Sequence, residues 1–151
     1  MEPLQGSCRA DCLLILEEIQ ASGFQKDTVE FEKSLRNERI ALEFTMTHFE
    51  ELHQQGIFIR VAGRPVGFSI YEQVDPNTAA VHFEKAVRRF KGMYQIINQE
   101  TAKAILAQDI KFINREEDLD IPGLRRAKLS YGPVEICPVH TLRSLNASVI
   151  S

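Results

Sequence analysis

Residues 114 to 118 form a dense mixture of polar groups between two ordered segments. They set one amide, one guanidinium and three carboxylates side by side: Asn114, Arg115, Glu116, Glu117 and Asp118. An apolar segment precedes them and a cationic segment follows them. Groups of both charge signs at one place suit a site that holds a polar ligand or moves protons. We therefore take this polar corner (residues 114–118) as the first candidate site.

Two acid-free cationic stretches flank the polar corner along the chain. Their basic residues are Lys85, Arg88, Arg89 and Lys91 in the first, and Arg125, Arg126 and Lys128 in the second. If the fold brings the stretches together, a chain of net charge -3 gains a positive pocket for a phosphate-bearing ligand. The alternative is two solvated clusters, and the sequence leaves both open. The net charge argues against a generally basic surface for nucleic acid.

The length and composition predict one soluble globular domain. The chain has 151 residues, of which 44% are hydrophobic and 26% charged, enough for one real core. No apolar run approaches the roughly 20 residues that cross a bilayer, so we expect no transmembrane segment. The stretch from Met1 to Arg9 lacks the pattern of a secretory signal. A cytoplasmic location is the expectation.

The cysteines and histidines do not predict a metal site. The three cysteines, Cys8, Cys12 and Cys137, are odd in number and form no CxxC pair, which fits a reducing compartment. Cys8 and Cys12 can share a helical face as a redox or metal pair; the alternative is two thiols without that role. His48 and His53 are spaced so that they splay apart on a helix. We expect no bound metal.

Hydrophobic periodicity predicts the first elements that position these residues. Helices are expected over 11–22 and over 28–55, the second with a break near Asn37. An alternation of period two then predicts a hairpin from Ile57 to Ile70 that turns at residues 62–65. A third strand, from Thr78 to Lys85, is expected to place His82 and Glu84 together on one face.

The second half of the chain predicts alternating helices and strands. A helix is expected over 93–107, a strand over 109–114, and a helix that Asp120 caps with Pro122 in its first turn. A last strand is expected over 133–140. This order favours an α+β fold in which helices cover a mixed sheet. We expect one lobe over 1–141 and a flexible tail over 142–151.

Three motifs in this order resemble the carboxy-terminal half of the phosphatidylglycerol lysyltransferase C-terminal-like family. They are Val81–Ala86, Lys91–Tyr94 with Asn98, and the run from Asn114 to Tyr131 with Pro133. The likeness extends more weakly to about residue 30. It implies a GNAT-like (acyl-CoA N-acyltransferase) fold with a mixed, mainly antiparallel sheet flanked by helices. The family usually has glycine where this chain has Asp120, and usually a preceding lobe.

The resemblance implies transfer of an acyl or aminoacyl group, for which three residues are catalytic candidates. Glu84 and Glu116 are candidates for a general base or for recognition of a substrate amine. The alternative is structural pairing with Lys85, Arg115 or Lys128. Tyr131 is a candidate to protonate the leaving group, the alternative being a packed aromatic ring with a bonded hydroxyl.

The same resemblance implies binding roles for the polar and cationic residues. Arg115 and Arg125 can each hold phosphate bidentately or pair internally with Glu84, Glu116 or Asp118. Asn98 and Asn114 can donate to a substrate carbonyl or cap the neighbouring backbone. Gly92 permits a tight turn into a helix whose first amides can take a phosphate. The remaining candidates for binding are Lys85, Asp118 and Lys128.

Donor and partners stay open at this level. One expected donor is acetyl-CoA or another acyl-CoA. The other is an aminoacyl-tRNA, as in the lysyltransferase relatives, because the segment 89–93 lacks the multi-glycine loop of coenzyme A users. A second GNAT-like lobe or a homodimer is a possible partner. The alternative function is a non-catalytic lobe that binds a phosphorylated ligand, a nucleic acid or a partner protein.

Overall fold

The structure is a computed structural model that describes residues 1–22, 29–118, 121–138 and 140, with the backbone alone for 29–31. The chain divides into two compact units, Met1–Glu116 and Glu117–Ser151. No helix among the described residues combines the length and the apolar character needed to span a membrane. The single lobe over 1–141 stays a prediction.

The first unit is a mixed sheet with helices packed on it. Its elements are β1 (Glu2–Pro3), α1 (Arg9–Ala21), α2 (Val29–Thr47), β2 (Gln55–Val61), β3 (Arg64–Asp75), β4 (Thr78–Ala86), α3 (Met93–Leu106) and β5 (Phe112–Asn114). The strand order is β1-β2-β3-β4-β5. Neighbours are antiparallel except for the parallel pair of β4 and β5. The predicted α+β class with a mainly antiparallel sheet is confirmed.

The hairpin of β2 and β3 forms where the sequence predicts it. Val61 pairs with Arg64, so Ala62 and Gly63 alone make the turn. Both have positive φ, 50° and 78°, which is the requirement of a type I′ turn. Glycine adopts this conformation without cost, and the turn's twist matches that of the flanking strands.

The core lies between the sheet and one stripe of each helix. On α3 the buried residues recur every fourth position, at Met93, Ile97, Thr101 and Ile105, and so form one stripe along the helix. Ile105 belongs to a second cluster of buried residues, whereas Met93 and Ile97 belong to a cluster that includes the fully buried Phe58 of β2. Burying a side chain of that size stabilises the fold by roughly 1.5–3 kcal/mol. Cys12 is buried in this core, so the cysteines do not present a helical face with two accessible thiols.

A β-bulge interrupts the pairing of β3 with β4 at His82. Ile70 pairs with Phe83 and Tyr71 with Val81, so His82 has no partner in the ladder. On β4, Glu84 contacts Asn98 of α3, whereas the next residue, Lys85, contacts Glu38 of α2. Because consecutive strand residues point to opposite faces, α2 and α3 lie on opposite sides of the sheet.

The bulge overturns the prediction that His82 and Glu84 share a face. His82 lines a cavity with Ala41 and Phe44 of α2, while Glu84 points to α3. A strict alternation would have put both on one face, but the extra residue shifts the register between them. The side chains of His82 and Glu84 therefore lie on opposite faces of the sheet.

The helices and strands depart from prediction at several boundaries. The helix α2 continues through Asn37 and ends at Thr47, because an exposed asparagine lowers helix propensity without breaking the helix. Turns, not helix, occupy residues 48–53. The strand β5 is confined to Phe112–Asn114, shorter than predicted.

The second unit contains α4 (Pro122–Leu129), with proline in its first turn as predicted. The predicted capping residue, Asp120, lies outside the described residues, as does the tail over 142–151. The predicted strand over 133–140 is wrong, since none of the described residues 133–138 and 140 is in a strand. Val134 and Ile136 are 90% and 73% exposed, so burial does not stabilise an extended segment there.

Candidate functional site

An unpaired edge of β4 lies at the centre of the candidate site. The pairing of β4 with β5 ends at Ala80 and Asn114, although β4 continues to Ala86. Among the described strands, none continues on that side of β4 beyond Ala80. Such an edge presents backbone donors and acceptors that an extended ligand can use.

Glu84, Asn98 and Arg115 converge on the α3 side of this edge. Arg115 Nη2 donates to Glu84 Oε1 over 3.0 Å. The two side chains are only 24% and 12% exposed, so their attraction is less screened than that of a surface pair. Three predicted site residues, separated by up to 31 positions, therefore form one cluster.

The Asn98 amide completes the cluster. With Nδ2 toward the pair, it donates to Glu84 Oε2 over 3.4 Å but also faces the N–H groups of Arg115. With the amide turned, Oδ1 accepts a hydrogen bond from Arg115 Nη2 over 3.0 Å. The second orientation is favoured because it replaces opposed donors with a donor and an acceptor.

His82 and Glu116 meet on the other side of the edge. Nδ1 of His82 lies 2.6 Å from Glu116 Oε1, and Nε2 lies 3.1 Å from Glu72 Oε1. The hydrogen bond from Glu116 is the largest cause that raises the pKa of His82 above its ordinary value, and Glu72 adds to it against the opposing effect of burial. The imidazolium form is favoured because both ring nitrogens then donate to carboxylates.

The segment after β5 reaches both faces because its backbone turns sharply at Glu116. Glu116 has a φ of +55°, in the left-handed region that residues other than glycine rarely adopt. Its N–H donates to Asn114 Oδ1 over 2.8 Å, so Asn114 caps this turn, which was one of its two predicted roles. Arg115 then faces Glu84 while Glu116 faces His82.

The first cationic stretch is partly engaged in internal ion pairs. Lys85 donates to Glu38 of α2, and Arg89 donates to Glu18 of α1 over 3.1 Å. Lys85 therefore points away from the Glu84 cluster, since it occupies the opposite face. The expected single positive pocket receives no contribution from Lys85.

Gly92 opens α3, as the sequence predicts. Its φ is +83°, and it precedes Met93, the first residue of the helix. The first turn of α3 carries no acidic residue, and none of the described side chains caps it. The positive end of the helix dipole is thus available beside a segment that contains Arg88, Arg89 and Lys91.

In the second unit, the predicted site residues Asp118, Arg125 and Lys128 make contacts within that unit. Arg125 forms a two-point ion pair with Asp118, in which Nη2 lies 3.2 Å from Oδ1. Lys128 Nζ donates to the carbonyl of Glu117 over 2.6 Å. Tyr131 follows α4 with its side chain exposed. A site that joins these residues to Glu84 stays a prediction.

His82 and Glu72 are the polar residues of this site that the sequence did not select. His82 stands two positions before Glu84, but its contacts depend on the bulge, which leaves no clear trace in the sequence. Glu72 reaches His82 across neighbouring strands and has no distinguishing neighbour in sequence. Among the described residues, no group of three or more His, Cys, Asp or Glu side chains is arranged to hold a metal ion.

Comparison with known families gives a match over nearly the whole chain. Residues 5–142 match the model of the family described as phosphatidylglycerol lysyltransferase, C-terminal. A conserved protein of unknown function from Bacteroides thetaiotaomicron VPI-5482 is 38% identical and superposes with a TM-score of 0.77. The match covers 89% of this chain but 44% of that one, so the chain spans less than half of its relative's length.

More distant solved structures share the fold along their whole length. A ribosomal-protein-alanine N-acetyltransferase from Brucella melitensis biovar Abortus 2308 has 13% identity and a TM-score of 0.62, with 95% of this chain and 97% of that chain covered. The aminoglycoside N-acetyltransferase AAC(6')-Iy, solved with CoA, has 8% identity and a TM-score of 0.62, with 95% and 93% covered. None of the curated protein sequences matches at a significant level. The predicted GNAT-like fold is confirmed.

Proposed function

The chain belongs to the phosphatidylglycerol lysyltransferase C-terminal family, and on that premise we propose that it transfers an acyl group from a coenzyme A thioester to an amine or hydroxyl acceptor. The observation that carries the proposal is the cluster of Glu84, Asn98 and Arg115 at the unpaired edge of β4. It combines a carboxylate, an amide and a guanidinium where an extended ligand can bind.

Two features support coenzyme A as the donor. The open edge of β4 offers backbone groups to an extended pantetheine arm, and the uncapped first turn of α3 after Gly92 offers amides to a pyrophosphate. A structural neighbour of the same fold was solved with CoA. The comparisons with solved structures do not support an aminoacyl-tRNA donor, which the experiment below includes as a separate arm.

Acyl transfer assigns a role to each member of the site. The acceptor attacks the thioester carbonyl, negative charge develops on its oxygen, and the carbon–sulfur bond breaks to release the thiol. Arg115 and Asn98 are suited to stabilise that oxygen, and Glu84 holds Arg115 in place. Glu116 is the proposed acceptor of the proton that leaves the nucleophile, and the departing sulfur takes its proton from solvent.

The decisive experiment measures thiol release from acetyl-CoA by the purified chain with a panel of amine and alcohol acceptors. Arg115→Ala is expected to lower kcat/KM at least about tenfold, because a charge-assisted contact to the transition state is worth well above 1 kcal/mol. A loss below about threefold in an active preparation would reject this role for Arg115.

Arg39→Ala is the matched control. Arg39 pairs with Glu17 and Glu43 between α1 and α2, away from the edge of β4, so its loss should leave turnover unchanged. Charged tRNA replaces acetyl-CoA in a parallel arm, and transfer only in that arm would replace the proposed donor.

A non-catalytic lobe is the second candidate function, favoured by the internal pairing of Arg115 with Glu84, which engages two of the proposed functional side chains. The unpaired edge of β4 and the first turn of α3 would then bind a phosphorylated ligand without turnover. Saturable binding of coenzyme A, with no thiol release from acetyl-CoA for any acceptor, would select this function over the first.

A further inference from the structure

A cavity of about 430 Å³ lies between β4 and α2, on the side of the sheet opposite Glu84. One part of its wall is apolar and consists of Phe44, Leu52 and Phe83. The other part is polar and consists of Glu72, His82 and Glu116. A ligand that fills it must therefore combine an apolar arm with a group that carboxylates recognise.

The imidazole of His82, which is a cation when it is protonated, occupies the polar end of the cavity. The imidazole of His82 stands between Glu116 and Glu72, at 2.6 Å and 3.1 Å from their oxygens. Gln54 Nε2 donates to the second oxygen of Glu72 over 2.9 Å, which orients that carboxylate toward the cavity. An ammonium group has the charge and the donors to take the same position.

We propose that this cavity binds the ammonium group of a primary alkylamine, and that the imidazolium of His82 occupies the cation position until the amine arrives. The alkyl arm would lie against Phe44 and Leu52, where it removes apolar surface from water. The proposal rests on the proposed function in naming the acceptor class, but the binding itself requires no acyl donor.

A second cavity of about 460 Å³ shows why the cavity at His82 is distinctive. It lies beside α1 and also carries two carboxylates, Glu17 and Glu18, but Arg64 and Arg89 line it as well. Guanidinium groups stay charged at every accessible pH, so the negative charge of these carboxylates is always neutralised by arginine. At the His82 cavity the counter-charge is an imidazole, which, unlike a guanidinium, can lose its proton and make room for another cation.

If the alkylammonium replaces the His82 imidazolium, the affinity of the cavity for the amine depends on pH in a defined direction. Among the residues that the structure describes, the titratable groups that line the cavity are Glu72 from β3, His82 from β4 and Glu116 from the segment after β5. The lining residues of α2 and of the turn before β2 do not titrate. Because amine binding releases the His82 proton, the affinity rises as pH rises through the pKa of His82.

The test titrates the full chain, without any acyl donor, with n-butylammonium and with n-butanol as its neutral isostere. Nuclear magnetic resonance follows the imidazole signal of His82, assigned with His82→Asn. We expect n-butylammonium to bind at least about threefold more tightly at about pH 8.5 than at about pH 6, and n-butanol to bind weakly and independently of pH. Equal binding of the two probes, or an amine affinity that does not change with pH, would overturn the proposal; neither comparison needs a variant.

Substitutions locate the binding. Glu72→Gln is expected to weaken n-butylammonium at least about fivefold, because it removes a charge-assisted contact. Glu18→Gln, in the cavity countered by arginines, should have no effect, and an equal loss in both variants would show unspecific attraction to carboxylates. Binding of n-butylammonium without acyl transfer to any acceptor would uphold this inference and reject the proposed function. Acyl transfer to alcohols without binding of n-butylammonium would uphold the proposed function and reject this inference.

Discussion

The guanidinium of Arg115 donates to the carboxylate of Glu84 over 3.0 Å, and this contact joins the segment after β5 to the edge that β4 leaves unpaired. The backbone pairing of β4 with β5 ends at Ala80 and Asn114. Beyond that point the ion pair of Glu84 and Arg115 connects β4 to the segment after β5 through side chains. The sequence offered ligand binding and internal pairing as alternatives for Arg115. The structure has internal pairing, at the place where the proposed ligand would bind.

Removing either partner of this pair is expected to destabilise the fold. Arg115→Met leaves the carboxylate of Glu84, only 12% exposed, without its counter-charge. We expect the free energy of unfolding to fall by about 2–3 kcal/mol, measured by urea denaturation. Glu84→Gln should cost less, because a neutral amide still accepts a hydrogen bond.

The double variant decides whether the two residues act as a pair. If they do, its loss of stability is smaller than the sum of the single losses by about 1 kcal/mol or more. Single losses that add within about 0.3 kcal/mol would show that the contact contributes little to the fold.

His82 makes stability depend on pH through its contacts with Glu116 and Glu72. Its folded-state pKa is raised, so the stabilisation is fully present below the unfolded pKa of about 6.5 and is lost as pH rises through the folded pKa. The difference in free energy of unfolding between the wild type and His82→Asn should therefore shrink from about pH 5.5 to about pH 8.5, as urea denaturation at each pH would measure.

Glu116→Gln tests the cause of that dependence. It removes the largest contribution to the raised pKa, so the pH-dependent difference should become smaller in its background. A wild type and a His82→Asn variant whose stabilities keep a constant difference over this range would contradict the prediction.

Gly56 stands where β2 passes close to two neighbours. A Cβ there would lie 2.3 Å from the carbonyl oxygen of Ser69 and 2.9 Å from the side chain of Leu4. Because backbone cannot move aside cheaply, Gly56→Ala should cost about 3 kcal/mol or more, seen as a lowered Tm. Gly63→Ala, with open space but a φ of +78°, should lose only about 1 kcal/mol, and a comparable loss in both would contradict the close approach.

The sequence predicts the parts of the fold that repeat a pattern over several residues. The alternation from Ile57 to Ile70 and the stripe on α3 are such patterns, because the buried face imposes its period on the residue types. The strand β1 has two residues, too few to show any period. In the segment 133–138 the sequence wrongly predicts a strand. Its β-branched residues, Val134 and Ile136, favour one, but they remain exposed and so gain nothing from burial.

The candidate site was predictable in its residue types and only partly in its geometry. Glu84, Asn98 and Arg115 come together because β4, α3 and the end of β5 are adjacent, which the order of elements already implied. The position of His82 depends on one extra residue in a strand, and such a bulge changes faces without changing composition. The bulge puts His82 on the other side of the sheet from Glu84, where ordinary alternation already puts Lys85.

Gly92 links the start of α3 to the proposed donor site. Its φ of +83° is costly for any residue with a Cβ, although a Cβ there would meet only Gln95 Oε1, at 4.0 Å. Gly92→Ala should therefore lower the free energy of unfolding by about 1 kcal/mol and, by shifting the first turn of α3, weaken coenzyme A binding measured by calorimetry at least about threefold. Gly123→Ala is the matched control, because Gly123 lies in α4 without positive φ and alanine there favours the helix. If Gly92→Ala lost stability but bound coenzyme A as the wild type does, the first turn of α3 would have no part in donor binding.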